Sequence, residues 1–185
     1  MKYSRPIEID RWQEIVERYQ TRIADAKNYD AQVVARSEYE WLESIIQPSL
    51  KAITGLDHKI QVAVMFYMRP HTSRGIHLDY HEPILGEQGT IWAINIPIAN
   101  AECSEMRWYE GEYTQETTVN PKGSIYKKLT WLTEPTVLET QPIVEPTLVY
   151  TEKPHDVINR SNFSRVLMSI RVYPGVVTID PDAES

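Results

Sequence analysis

The sequence predicts a mainly β chain: an antiparallel sandwich or jelly roll with helices packed on one of its sides. Three observations carry this. Helical periodicity dominates up to Gly55 and then stops. From residue 59 onwards the chain becomes a series of short β-branched and aromatic runs separated by Pro, Asn and Gly, which is how antiparallel strands and their turns are written. A chain of 185 residues, 42% hydrophobic and 24% charged, can bury one sizeable core and still remain soluble.

The helical part comes first. In "IDRWQEIVERYQTRIADA", Trp12, Ile15, Val16, Tyr19 and Ile23 follow helical spacing. Asp10 with Gln13, and Ser37 with Glu40 in "SEYEWLESIIQPSLKAITG", have the spacing of capping boxes. Gly55 reads as the C-terminal stop of the second helix, and Pro48 is expected to kink or split it. "KNYDAQVVAR" between the helices reads as a linker or short strand. The strand-like runs are 59–68, 90–99, 104–113, 135–140, 146–151, 155–159 and 164–173. Residues 110–146 otherwise show little strand pattern and are read as a lid over the mouth of the sandwich, since long unpatterned segments in compact domains are often functional. We expect one domain over 1–185, with helical support from 1–56 and a sandwich core from 57–175.

Charge and composition narrow the function. A net charge of −7 argues against a general nucleic-acid binder, which needs clustered cations. Cys103 is the only cysteine, so no intrachain disulfide can form. The N-terminus lacks the apolar core of a signal peptide, and no run of about 18 apolar residues could span a membrane. We expect a cytoplasmic protein.

The chemistry lies in two stretches. "GIHLDYHEP" (75–83) places His77, Asp79 and His81 at alternate positions, hence on one face of a strand. A straight strand separates positions 77 and 81 by about 13 Å, so His81 is expected to line a pocket at most. In "PHDVINRSNFSRVLMSIRV", a hairpin symmetric about Arg160 would put His155 opposite Arg165, with Cβ atoms about 5 Å apart. Arg165 would face inward because Val166 and Met168 alternate to the other side; Arg171 shares its face. Two imidazoles and one carboxylate on one side of Fe(II) leave open positions for a bidentate 2-oxo acid and O2. A guanidinium fork can hold the far carboxylate of that acid.

With His77-Leu78-Asp79, the distal His155 and Arg165 ten residues further on, the sequence resembles the 2-oxoglutarate/Fe(II)-dependent oxygenase superfamily over roughly residues 60–173. "INIPIAN…EMRWYEG" is similar to a branch of small oxygenases, many carried by phages and marine bacteria. The resemblance implies a double-stranded β-helix (jelly roll, cupin-like), with Fe(II) held by His77, Asp79 and His155 and 2-oxoglutarate anchored by Arg165. It also implies O2 as oxidant and hydroxylation of a small molecule or peptide side chain. Asp79 favours hydroxylation, since related halogenases carry a small residue there. Leu167 departs from the pattern, because several branches have serine two residues after the arginine.

Other residues have two readings each. Asn95, polar within "WAINIPIA", is either a hydrogen-bonded core amide or a contact to co-substrate or substrate. Tyr67 is either a donor to the co-substrate carboxylate or core. Trp108 and Tyr109 are either a substrate wall or core, and His58 and His71 read as solvated loop histidines. Two other functions fit the fold: a non-catalytic ligand-binding jelly roll with a structural or vestigial metal, and a cupin-type metalloenzyme that does not use 2-oxoglutarate. The last would leave Arg165 in an internal ion pair.

Overall fold

The computed structural model describes residues 2–27, 30–79, 92–119 and 125–176. Its N-terminal part contains β1 (Ser4–Pro6), α1 (Trp12–Tyr19), a 3-10 helix (Gln20–Lys27), β2 (Ala31–Val33) and α2 (Tyr39–Thr54). α1 buries Ile15 and Tyr19, one turn apart on the same side. Neither capping box forms: Arg11 and Glu38 occupy the cap positions, without side-chain cap bonds. Arg11 instead pairs with Glu14, and a short 3-10 turn (Arg36–Glu38) leads into α2. Pro48 does not break α2, contrary to expectation. It lies on the exposed side, where the carbonyl freed by its missing N–H can be hydrated. Gly55 ends the helix in the left-handed conformation (φ 74°) and donates its N–H to Lys51 O at 2.8 Å.

The remaining strands are β3 (Lys59–Met68), β4 (Thr72–Ser73), β5 (His77–Asp79), β6 (Trp92–Ala99), β7 (Ser104–Glu110), β8 (Tyr113–Val119), β9 (Ile125–Trp131), β10 (Thr136–Gln141), β11 (Thr147–Tyr150), β12 (His155–Asn159) and β13 (Arg165–Tyr173). They form two antiparallel sheets of a jelly-roll, cupin-like fold. One has the order β1-β11-β6-β13-β3-β2; the other has β10-β7-β12-β5-β9-β8, with β4 also paired to β12. The helices cover the outer side of the first sheet, with α1 against β6 and α2 against β3. Val166, Met168 and Ile170 of β13, Ile94 and Ile96 of β6, and Ile15, Leu42 and Ile46 of the helices share one buried cluster.

Two expectations are corrected here. Residues 110–146 are not an unpatterned cover: they supply β8, β9 and β10. In β8 the sequence is polar and largely exposed, so no apolar alternation marked it as strand. The supposed hairpin of His155 and Arg165 also does not form. β12 pairs with β7, β5 and β4, whereas β13 pairs with β3 and β6 in the other sheet. Fully buried Asn159 ties the corner between them. Its amide donates to Phe163 O (2.8 Å) and Arg69 O (3.1 Å), and its Oδ1 accepts from Ser161 N (3.1 Å). That side-chain network gives the backbone a crossover in place of a tight turn.

His58 is likewise not a solvated loop residue. It is buried, with Thr54 Oγ1 and Pro174 O each 2.7 Å from a ring nitrogen. Both polar ends of the ring are satisfied, which is what permits its burial.

Candidate metal centre

β5 is short, and its entry is set by Gly75, whose φ of 75° suits glycine. The carbonyl of Gly75 accepts a hydrogen bond from His77 Nδ1 at 2.8 Å. His155, directly across from His77 in the sheet, does the same with the carbonyl of Lys153 at 2.9 Å. In each case the carbonyl two residues earlier fixes the tautomer, so Nδ1 carries the proton and Nε2 presents its lone pair. The rings lie 4.7 Å apart between centroids. Asp79, two residues after His77, shares that face; its Oδ1 is 3.6 Å from His77 Nε2 and 3.7 Å from His155 Nε2. The ligand-capable atoms all lie within 4.8 Å of one another. Ligand atoms about 2.0–2.2 Å from one ion stand about 3–3.5 Å apart, so the Asp79 contacts are close to that spacing and the cluster as a whole must contract to close on an ion. Burial, and then the neighbouring His155, push His77 down to about 4, keeping it neutral and able to ligate at neutral pH.

The other sheet completes the surroundings. Arg165, Leu167, Ser169 and Arg171, alternate residues of β13, line the same cavity as the three ligand residues. The inward face expected for Arg165 is therefore present, although it faces His155 across the cavity rather than along a hairpin. The cavity has a volume of about 890 Å³. Arg165 is only 2% exposed, has no carboxylate partner among the described residues, and leaves its Nε without a hydrogen bond. Its nearest polar contact is Met68 Sδ at 3.8 Å. Burial, and then the charge of Arg74, lower its pKa to about 10. Arg171 is engaged differently: its guanidinium donates to Asp79 Oδ2. One carboxylate oxygen thus faces the imidazoles while the other is held from the opposite sheet.

Asn95 lies beside Ser169 on the cavity face of β6, 6% exposed, with Oδ1 unpartnered. A buried amide oxygen with no partner costs roughly 1–3 kcal/mol, so the position suits a ligand better than a closed core. Tyr67 stands at the edge of this arrangement. It borders the cavity, but its cross-strand neighbour is Val166, on the face away from Arg165, and its hydroxyl donates to Gln32 Oε1 at 2.9 Å. Trp108 and Tyr109 are core and not cavity wall. Trp108 is fully buried and donates to Tyr150 O at 2.9 Å. His71 is exposed, with its Nε2 2.8 Å from Asn162 Oδ1. His81 lies outside the described residues.

Sequence reasoning missed the contribution of β9. Tyr126 stands opposite Asp79 and Lys128 opposite His77, and both line the cavity. The alternation Tyr126, Lys128, Thr130 was available in "IYKKLTW", but the adjacent lysine pair obscured it. Arg74 was also missed, three residues before the first histidine.

Comparison by sequence finds no protein-family model and no curated protein that matches this chain. Comparison of structures does find similar folds. SnoK, a non-heme alpha ketoglutarate dependent carbocyclase from nogalamycin biosynthesis, aligns with a TM-score of 0.56 over 98% of this chain and 86% of its own, at 11% identity. The non-heme monooxygenase ThoJ, in its apo form, aligns with a TM-score of 0.50 over 95% and 75%, at 13% identity. At these identities the likeness is one of fold.

No helix among the described residues is long and apolar enough to cross a membrane.

Proposed function

We propose that this protein is a 2-oxoglutarate- and Fe(II)-dependent oxygenase that hydroxylates a C–H bond of its substrate. The observation that carries this reading is one cavity with a His-Asp-His cluster on one sheet and, on the other, a buried Arg165 that has no carboxylate partner among the described residues. The donor set fits the metal: two imidazole nitrogens and one carboxylate oxygen, all on one side, suit Fe(II) with positions left open. When bound, Fe(II) with 2-oxoglutarate supplies the activation of O2 that ends in hydroxylation, with succinate and CO2 as co-products.

His77, Asp79 and His155 hold the metal. The carbonyls of Gly75 and Lys153 orient the two rings, and Arg171 holds the carboxylate of Asp79. Arg165 binds the distal carboxylate of 2-oxoglutarate through paired charged hydrogen bonds. Asn95 supplies a polar contact within the same cavity. Leu167 and Met68 surround Arg165 with apolar surface, strengthening its hold on an anion by excluding water. That Arg165 has no carboxylate partner among the described residues favours this reading over a cupin-type enzyme without the co-substrate, in which the arginine would be satisfied internally.

The test is anaerobic addition of Fe(II) and 2-oxoglutarate to the metal-free protein. A weak visible absorption band from the metal-chelated 2-oxo acid is expected, abolished in Asp79→Ala. Properly metallated protein that fails to bind 2-oxoglutarate would sink the reading.

A further inference from the structure

The cavity carries more positive charge than this reaction uses. On the oxygenase reading, Arg165 serves the co-substrate and Arg171 serves Asp79. Arg74 remains. Its Nη2 donates to the main-chain carbonyls of Asp30 (2.6 Å) and Tyr67 (3.4 Å), and its guanidinium lies 4.6 Å above the ring of Phe66. It is thus held in place by neutral carbonyls and an aromatic face. No carboxylate lies within ion-pair distance of it among the described residues; burial lowers its pKa, and the nearby charges of Asp30 and Asp79 act the other way. Exposed Arg69 also lines the cavity, and Lys128, opposite His77, adds a further cation. Its 3.8 Å approach to Glu116 is between exposed groups and holds it only weakly.

Next to Arg74 lies an apolar strip. The pairing of β2 with β3 sets Ala31 beside Phe66 and Val33 beside Val64, all lining the cavity. Val33 is 69% exposed, so the strip opens to solvent. The arrangement is an apolar approach ending at a pre-positioned guanidinium, in a cavity shared with the metal ligands. It sits in a chain whose net charge of −7 would repel a polyanion.

Resting on the oxygenase reading, we infer that the substrate is a small organic acid with an apolar body. The body lies along Ala31, Val33, Val64 and Phe66, and the acid group, a carboxylate or a phosphate, is bound by Arg74. A volume of about 890 Å³ is within the range of small-molecule sites. Pre-orientation of Arg74 reduces the ordering loss on binding.

The test uses protein loaded anaerobically with Fe(II) and saturating 2-oxoglutarate, titrated with hexanoate, hexyl phosphate and hexanol. The readouts are the visible band and calorimetry. At least one acid should bind roughly tenfold or more tighter than hexanol, and the better of the two identifies the acid group. Arg74→Gln should remove that advantage while leaving the 2-oxoglutarate requirement unchanged. Val33→Asp, which keeps Arg74 and its bonds, should weaken the acids and leave the co-substrate unaffected. Equal binding of acids and alcohol would overturn the inference. So would a 2-oxoglutarate requirement raised by Arg74→Gln, which would assign Arg74 to the co-substrate, or tighter binding of a single-stranded oligonucleotide than of either acid. If the visible band never forms, the oxygenase reading fails on its own. Calorimetry on Zn(II)-loaded protein then still decides whether Arg74 selects acids.

Discussion

The two faces of β13 are built for different purposes. On one, Val166, Met168 and Ile170 are fully buried against the helical layer. On the other, Arg165, Leu167, Ser169 and Arg171 line the cavity. The first face is a stability device, each large side chain contributing roughly 1.5–3 kcal/mol by leaving water. The second opposes folding: a guanidinium buried without a partner is among the least favourable groups a core can hold. One strand thus carries both, which is economical only if the polar face is completed by ligands.

The largest effect should come from the residue that joins the two sheets across the cavity. Asp79→Ala removes the carboxylate donor of the cluster and the partner of Arg171. Metal affinity, measured by Co(II) titration, should fall beyond the roughly 10–100-fold expected for loss of an outer partner. Metal-free stability should also drop, by part of the about 3–5 kcal/mol seen when a buried ion pair is broken. Unchanged metal affinity would remove the cluster from the site.

The two faces can then be broken separately. Ile170→Ala on the helix side should lower stability by about 2–5 kcal/mol in urea unfolding while leaving 2-oxoglutarate affinity of the folded protein unchanged. Arg165→Met on the cavity side should do the reverse. Metal-free stability should hold or rise by about 1–4 kcal/mol, and the 2-oxoglutarate requirement should rise at least about thirtyfold, with metal binding retained. Loss of metal and co-substrate together would mean that Arg165 holds the fold, and the contrast between the faces would collapse.

How far the sequence reveals this contrast depends on local pattern. β3 is legible as a run of β-branched and aromatic residues, and β13 because apolar and polar residues alternate within it, which puts Arg165 and Arg171 on one face. The spacing of His77 and Asp79 is legible for the same reason, since period two survives any tertiary arrangement. Sheet membership is not local. Nothing in "NRSNFS" distinguishes a tight turn from a crossover; the distinction lies in Asn159 reaching the carbonyls of Met68 and Arg69, some ninety residues away. β8 is hidden because the run between Tyr113 and Val119 is wholly polar, so nothing apolar alternates within it. Tyr67 shows the limit of period two: Met68 pairs with Arg165 and Tyr67 with Val166, yet both border the cavity.

The smallest predicted effect separates burial at the site from burial in the core by its pH dependence. His77 has a folded pKa of about 4 against 6.5 when unperturbed, chiefly because it is buried. Between these values the unfolded chain takes up a proton that the folded chain refuses. Metal-free protein should therefore have this stability in full above pH 6.5 and lose it as the pH falls towards 4, with a slope of at most about 1.4 kcal/mol per pH unit. The carboxyl of Asp156, raised first by burial, acts with the opposite sign as the pH falls. The measurement is therefore the difference between wild type and His77→Gln, which keeps the burial, Arg107, Tyr109 and Ser73 effects on Asp156 and removes only the smaller one of His77. With urea midpoints taken in the presence of a chelator at several values between pH 7.5 and 4.5, the stability of wild type relative to His77→Gln should fall as the pH falls. Ile170→Ala, by contrast, should lower the whole curve without changing its slope, because an apolar contact exchanges no proton. Parallel curves for wild type and His77→Gln would show that the imidazole is hydrated in the metal-free protein. The dry cavity on which the hold of Arg165 on an anion depends would then be wrong as well.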